Sequence, residues 1–164
     1  MNRSMGNDDI KRVCKNIKVI TYPELAKYKT IDEALAPYGA IVLLYMTEAT
    51  YGHWVLVMKQ PNNTIEVFDS YSEKPDHEFK YIDEKKRKNF NYKGIPYLSK
   101  LLSKSKYNIE FNHKQVQKDG DNITTCGMHV CARYLLKGLN LNEYLYVLSL
   151  FRDPDELVTS LIKF

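Results

Sequence analysis

The chain has 164 residues and a mass of 19.2 kDa, which is enough for one domain, over residues 1–164, built around one hydrophobic core. Hydrophobic residues make up 44%, charged residues 27% and aromatic residues 12%, a composition that excludes a disordered or low-complexity chain. The net charge of +4 is too small to indicate a nucleic-acid-binding protein by itself.

The hydrophobic pattern predicts a series of short elements. In chain order these are a helix over 8–15, helical turns at 22–23 and 31–35, strands over 40–46, 53–59 and 64–68, a helix over 95–102, a strand over 107–111, and helices over 126–136, over 142–151 and from 154 onward. The turn residues Pro61-Asn62-Asn63 indicate that two of the strands form a hairpin. We therefore expect an α+β fold with a small, mostly antiparallel central sheet flanked by helices.

Targeting signals are missing from this pattern. The amino terminus has no apolar core of a secretory signal, and the longest apolar run, Ala40 to Met46, is far shorter than the about 20 residues that a membrane span needs. Three cysteines, an odd number, exclude a disulfide framework and indicate a reducing compartment. We expect a soluble intracellular protein with no membrane contact.

A cysteine at the start of a predicted helix is the main candidate for chemistry. The sequence predicts a helix cap at Thr124 or Thr125, so Cys126 would lie in the first turn, where free backbone N–H groups and the helix dipole favour a thiolate and can bind an oxyanion. Gly127 would let a substrate approach the backbone closely. The alternative is that Cys126 is a small buried apolar residue, as we expect for Cys14 and Cys131.

A nucleophilic cysteine needs a base and a group that orients the base. His53 opens one strand of the predicted hairpin and Asp69 follows the other, so both would lie at the same end of the sheet. A helix start such as Cys126 can meet that end, which would complete a triad. The other histidines lie in polar loops or share a helix face with the cysteine: His77, His113 and His129.

These residues, in this order, resemble a known family. The similarity is to the cysteine peptidases of the ubiquitin-like protease and adenain superfamily, in the compact form encoded by large DNA viruses, and its motifs span about half of the chain. It is carried by Gly52-His53-Trp54-Val55-Leu56-Val57, Val67-Phe68-Asp69-Ser70-Tyr71 and Thr125-Cys126-Gly127.

The resemblance implies a role for each matched residue. His53 would be the base, Asp69 its orienting carboxylate and Cys126 the nucleophile. Trp54 would shape the substrate cleft beside the base, and Gly127 would also contact substrate.

The family's oxyanion glutamine is less directly matched. It usually lies six or seven residues before the cysteine, where this chain has Gly120 and Asp119. We assign the role to Gln117, on the assumption that the following loop is longer here, with Gln115 as the other candidate.

The implied activity is hydrolysis of peptide or isopeptide bonds after Gly-Gly-like sites, without a cofactor, by a monomer. The expected substrates are viral precursor proteins, cleaved in the cytoplasm or nucleus of a host cell or in the virion. One alternative is a deubiquitinase or SUMO-type deconjugating protease. An alternative of another class is a catalytically silent module that binds ubiquitin-like proteins.

The sequence contains two further candidate sites, one for zinc and one for nucleic acid. A zinc site at Cys126, His129 and Cys131 lacks a fourth ligand and a paired CxxC motif. A nucleic-acid surface would use lysines interleaved with aromatic residues, but the sequence favours the alternative of a solvated lysine-rich loop and helix face. These lysines are Lys85, Lys86, Lys88, Lys93, Lys100, Lys104 and Lys106, with Arg87 in the same run.

Overall fold

A five-stranded sheet forms the centre of the chain, with its strands side by side in sequence order. The structure is a computed structural model that describes residues 4–46, 52–76, 85, 95–119 and 124–164. The strands are β1 (Lys18–Thr21), β2 (Ala40–Met46), β3 (Gly52–Gln60), β4 (Thr64–Phe68) and β5 (Asn108–Phe111). The helices are α1 (Asn7–Val13), α2 (Ile31–Leu35), α3 (Tyr97–Lys104), α4 (Cys126–Leu135), α5 (Leu141–Ser149) and α6 (Pro154–Leu161), with a 3-10 helix over Tyr22–Lys27.

The sheet is mixed, so the prediction of a mostly antiparallel sheet is wrong. β2 pairs with β3 and β3 with β4 in antiparallel fashion, but β1–β2 and β4–β5 are parallel pairs. Parallel strands need a long crossover, and both parallel pairs have one, since α2 lies between β1 and β2 and α3 lies between β4 and β5. The α+β arrangement of a sheet with flanking helices is confirmed.

Strand β2 and the β3–β4 hairpin match the prediction, because their sequence signals agree with each other. All seven residues of β2 are buried, as expected of a continuous apolar run with β-branched residues. Asn62 and Asn63 take positive φ values of 64° and 55°, which asparagine tolerates in a tight hairpin turn. β1 was not predicted, because its four residues, three of them only partly buried, give too short a pattern.

Helix α4 lies against β3 and α6, and its side chains from Gly127 to Tyr134 are buried. Arg133, which is completely buried, binds both carboxylate oxygens of Glu66 on β4, with its Nε and one terminal nitrogen each donating at 2.8 Å. A buried bidentate pair of this kind holds two groups in one geometry. It therefore connects the helix that begins at Cys126 to the strand that ends just before Asp69.

No helix in the described part of the chain is long and apolar enough to cross a membrane.

Candidate functional site

The structure brings His53 and Asp69 together at one end of the sheet. His53 is the second residue of β3 and Asp69 directly follows β4, and the antiparallel register sets these positions beside each other. The imidazole Nε2 lies 2.7 Å from Asp69 Oδ1. The side chains are 11% and 3% exposed, so this pair is largely shielded from water. An imidazole held this way by a carboxylate keeps its orientation and is stabilised when protonated.

Asp69 is itself held by its neighbours. The Asn112 side chain brackets the main chain of Asp69, accepting from its N–H at 3.0 Å and donating to its carbonyl oxygen at 2.6 Å. The backbone N–H of Tyr71 donates to the same Oδ1 that His53 contacts, at 2.8 Å. Asn112 was missed in the sequence because its position beside Asp69 depends on the parallel pairing of β4 with β5, which was not predicted.

Tyr71 covers one face of the imidazole. Its ring stacks on His53 with 4.9 Å between centroids and 27° between planes. Burial raises the pKa of the Tyr71 hydroxyl to about 12, and electrostatic interactions with Cys126, Asp119 and Asp155 act in the same direction. The hydroxyl is therefore neutral at physiological pH, where it can both donate and accept a hydrogen bond.

Cys126 lies at the start of α4, as predicted. Its Sγ is 3.9 Å from the carbonyl oxygen of Gly52, the residue directly before His53. The thiol is partly exposed, whereas Cys14 and Cys131 are buried. A side chain at position 52 is not possible without rearrangement, because a Cβ there would lie 2.0 Å from the carbonyl oxygen of Tyr45 on β2.

Trp54 and Gly127 lie beneath the cysteine in packed surroundings. Trp54 is 2% exposed, and its indole N–H donates to the carbonyl oxygen of Met5 at 2.9 Å. A Cβ on Gly127 would lie 2.9 Å from the Met5 side chain and 3.3 Å from the Trp54 ring. The Trp54 side chain therefore packs against the start of α4, and its role in shaping the substrate cleft stays a prediction. Gly127 permits this close packing, and its contact with substrate stays a prediction.

Of the two candidate glutamines, Gln117 is the one beside the site. Its Oε1 accepts from the Ser70 hydroxyl at 2.6 Å and its Nε2 donates to the Tyr71 hydroxyl at 3.1 Å. The exposed Gln115 instead donates to the carbonyl of Gln117 at 2.7 Å and to Asp119 at 3.1 Å. Gln115 thus shapes the turn that carries Gln117, whose backbone N–H donates to the carbonyl oxygen of Ser70 at 3.0 Å.

A second histidine–carboxylate pair joins α4 to α6. His129 is fully buried on α4, and its Nε2 lies 2.8 Å from Oδ1 of Asp155 on α6. The same carboxylate accepts from the Thr125 hydroxyl at 2.5 Å and from the Lys118 backbone N–H at 2.9 Å. We refer to Lys118, Thr125, His129 and Asp155 as the Asp155 cluster. From the sequence, His129 was a weak candidate for the base, because it shares a helix face with Cys126, and Asp155 was not a candidate for any role.

Burial by itself would raise the pKa of Asp155. The hydrogen bonds from His129, Thr125 and the Lys118 N–H outweigh burial, so the pKa lies below the usual aspartate value. The carboxylate is therefore ionised at neutral pH and acts as an acceptor to all three donors.

The remaining sequence candidates are placed as follows. His113 is exposed and His77 lies outside the described residues. Cys131 is next to Cys14, whose hydrogen bond, together with burial, raises the pKa of the Cys131 thiol. Within the described ranges no group of three or more His, Cys, Asp or Glu side chains is arranged to hold a metal ion.

Most of the lysine run also lies outside the described residues. Lys85 is exposed, and 86–88 and 93 are not described. Lys100, Lys104 and Lys106 are exposed, and the last two line a groove of about 350 Å³ at the opposite end of the sheet from His53. Nucleic-acid binding at this surface stays a prediction.

Comparison with known proteins finds a close relative in sequence. The uncharacterized protein V9 of Sputnik virophage is 41% identical over 162 residues, which cover 95% of this chain and 92% of V9. No protein-family model matches the chain.

Solved structures give only distant likenesses. The central domain of the uncharacterized Lpg1148 protein from Legionella pneumophila has a TM-score of 0.40 at 16% identity, over 98% of this chain and 86% of that one. The SUMO protease Ulp1, with its catalytic cysteine oxidized to a sulfinic acid, has a TM-score of 0.38 at 15% identity, over 94% of this chain and 74% of that one. Both TM-scores are below 0.5, so neither likeness establishes a shared activity.

Proposed function

The chain belongs to the family of the Sputnik virophage protein V9, and we propose that it is a thiol peptidase with His53, Asp69 and Cys126 as its catalytic residues. The observation that carries the proposal is the His53–Asp69 contact of 2.7 Å, together with a partly exposed cysteine at a helix start whose Sγ lies 3.9 Å from the carbonyl oxygen of the residue before His53. A thiol, an imidazole and a carboxylate in this order are the groups that acyl transfer by a cysteine nucleophile requires.

The first half of the reaction uses the nitrogen of His53 that does not contact Asp69. Because Nε2 faces the carboxylate, Nδ1 accepts the Cys126 thiol proton. The sulfur then attacks the carbonyl carbon of the scissile bond. When the tetrahedral intermediate collapses, the carbon–nitrogen bond breaks, and the leaving amine takes the proton from His53.

The second half releases the acyl group. A water molecule gives a proton to His53 as its oxygen attacks the thioester carbon. The carbon–sulfur bond then breaks as the carboxylic acid product forms, and the proton on His53 returns to the Cys126 sulfur. Asp69 stabilises the protonated imidazole in both halves, while Tyr71 fixes its plane by stacking.

The oxyanion formed in each half needs hydrogen-bond donors. We assign this role to the Gln117 side-chain amide and to the backbone N–H of Cys126, since N–H groups in the first turn of a helix have no intrahelical partner. The Thr125 side chain does not cap these groups, because its hydroxyl binds Asp155 instead. The first turn of α4 is therefore not capped by the residue in the capping position.

For the substrate, we propose a protein with small residues, of the Gly-Gly type, before the scissile bond. The virophage origin of V9 favours a virus-encoded precursor protein as the substrate, and maturation of such proteins as the role. Removal of ubiquitin or SUMO is the second substrate class, which the same chemistry would serve.

The test is a panel of Gly-Gly substrates: ubiquitin and SUMO conjugates, and short peptides with virus-type cleavage sequences. Wild-type protein is expected to cleave at least one of them, and Cys126→Ala and His53→Ala to cleave none. His113→Ala is the matched control, because it removes an exposed histidine and should keep wild-type rates. Cleavage that persists in Cys126→Ala would contradict the proposal.

Alkylation by iodoacetamide separates a peptidase from a silent binding module. Mass spectrometry should locate the label on Cys126 and not on the buried Cys14 or Cys131. The rate should fall in His53→Ala, since the imidazole assists formation of the thiolate. A Cys126 thiol that reacts at the rate of a free thiol in both proteins would support the binding module.

A further inference from the structure

The Asp155 cluster lies on both sides of the segment that precedes the cysteine. Lys118 directly follows Gln117, and Thr125 directly precedes Cys126. Both are bound to the same carboxylate: Oδ2 accepts from the Lys118 N–H and Oδ1 from the Thr125 hydroxyl. One side chain from α6 therefore joins the two ends of the segment between Gln117 and the nucleophile.

We propose that Asp155 is a positioning residue that sets the distance between the oxyanion donor Gln117 and the nucleophile Cys126. This inference rests on the proposed function, because it gives the two joined groups their catalytic roles. It extends that function to a residue of α6, which is far from the other site residues in sequence and does not contact the substrate.

The burial of the cluster makes the arrangement specific. Asp155 is 8% exposed, Thr125 3% and His129 0%. A buried carboxylate is retained only when its oxygens are satisfied, and here three donors converge on it. Removing one donor leaves a buried polar group unsatisfied, so the cluster has one favourable geometry instead of several.

Asp155 also explains the unusual start of α4. A threonine in the capping position would ordinarily accept a hydrogen bond from the backbone N–H groups of the first turn. Here its hydroxyl donates to Asp155, and the side chain makes no capping bond. Asp155 therefore holds the Thr125 side chain away from the start of α4. Otherwise that side chain would compete with an oxyanion for the backbone N–H groups of the first turn.

His129 anchors the Asp155 cluster to α4. It lies one helical turn after Cys126, and its Nε2 contacts the same Oδ1 as Thr125. A carboxylate bound to both residues cannot move relative to the first turn of α4 without breaking a bond. The contacts with Thr125 and His129 thus fix Asp155 relative to α4, and Asp155 in turn fixes the position of the Lys118 N–H.

The first experiment replaces Asp155 by asparagine. If the asparagine oxygen keeps the Thr125 and His129 donors, its NH₂ group faces the Lys118 N–H, and that hydrogen bond is lost. We expect kcat on the best peptide of the panel to fall about 10- to 100-fold, as a displacement of about 1 Å in an active site does, with little change in KM. Glu156→Gln removes an exposed charge from the same helix and should keep wild-type kinetics.

A double-mutant cycle tests whether Asp155 acts through Gln117. In a Gln117→Ala background the Asp155→Asn substitution should cost little further activity, because the group that it displaces is already absent. Equal losses in both backgrounds would contradict the positioning role. Thr125→Val, which keeps the shape and removes the hydroxyl, should also lower kcat, and Thr125→Ser should recover part of the loss.

Amide hydrogen exchange tests the Asp155–Lys118 hydrogen bond directly and does not depend on catalytic activity. The Lys118 amide should exchange faster in Asp155→Asn than in the wild type, while the Leu157 amide, bonded to the Asp153 carbonyl within α6, should not change. An unchanged Lys118 amide would overturn the inference. A wild-type protein that cleaves nothing would contradict the proposed function, and an active Asp155→Asn variant with the kinetics of Glu156→Gln would contradict only the positioning role.

Discussion

The substitution Asp69→Asn isolates the contribution of one negative charge to the proposed reaction. Asparagine has the shape of aspartate, and its orientation is determined by the Tyr71 backbone N–H, which donates to Oδ1 at 2.8 Å. The amide oxygen must therefore occupy the Oδ1 position and remain the acceptor for His53 Nε2. The imidazole keeps its tautomer and its place, and only the charge is lost.

The magnitude follows from the surroundings of the pair. His53 becomes positively charged when it takes the thiol proton, and Asp69 Oδ1 lies 2.7 Å from Nε2. Unit charges centred about 4 Å apart attract by about 4 kcal/mol at an effective dielectric constant of about 20, but by only about 1 kcal/mol in water. The side chains are 11% and 3% exposed, so the first value applies. It corresponds to a fall in kcat/KM of about 10³-fold.

The assay is kcat/KM on a fluorogenic Gly-Gly peptide, with folding checked by circular dichroism. Asp32→Asn is the matched control, since that carboxylate pairs with Lys59 at 2.6 Å but is half exposed and lies at the opposite end of the sheet. We expect it to retain wild-type activity. A loss of only about fivefold in Asp69→Asn, the value for a pair in water, would refute the role of Asp69 as a shielded counter-charge.

Three further predictions concern stability. Glu66→Gln should lower the free energy of unfolding by about 3–5 kcal/mol, measured by urea denaturation, because it leaves the buried Arg133 guanidinium without a counter-charge. Gly52→Ala should lower the melting temperature and abolish cleavage, because its Cβ would meet a backbone oxygen of β2 at 2.0 Å. Asp155 has a lowered pKa in the folded chain, so its contribution is present above the unfolded value of about 3.9 and is lost as the pH falls through the folded value. Asp155→Asn should therefore flatten the loss of stability on acidification, followed by thermal melts.

The half of the site that lies on the hairpin could be predicted from the sequence. Signals within a few residues of each other, the apolar residues of two short strands and the asparagine-rich turn between them, determine the register of β3 and β4. Once that register is known, His53 and Asp69 must lie at the same end of the sheet. The position of Cys126 at a helix start is equally local.

The partners of these residues could not be predicted, because they depend on strand direction. β5 was expected as a strand, but not as one parallel to β4. The carboxyl ends of parallel strands meet at the same edge, so Asn112 after β5 lies beside Asp69 after β4. The loop that follows then brings Gln117 to Ser70 and Tyr71. An antiparallel β5 would have placed both residues at the opposite edge of the sheet.

The helix start shows a second limit of sequence patterns. Thr124 or Thr125 was expected to cap α4, and Thr125 does occupy the cap position, but its hydroxyl binds Asp155, a residue thirty positions further along the chain. The local preference of threonine for the cap is outweighed by a buried carboxylate that needs donors. The same carboxylate gives His129 a partner that its sequence neighbourhood does not contain.

The two halves of the candidate site are therefore connected by buried polar contacts and not by the backbone. The hairpin holds the base and its carboxylate, and α4 holds the nucleophile. The Arg133–Glu66 pair connects α4 to β4, and the hydrogen bond between Ser70 and Gln117 connects the hairpin to the segment before the cysteine. Asp155 binds both the residue after Gln117 and the residue before Cys126. Because such contacts have one favourable geometry, a substitution at a supporting residue should displace the reacting groups while leaving each of them chemically intact. Loss of kcat with an unchanged KM is the kinetic result that distinguishes this displacement from loss of substrate binding.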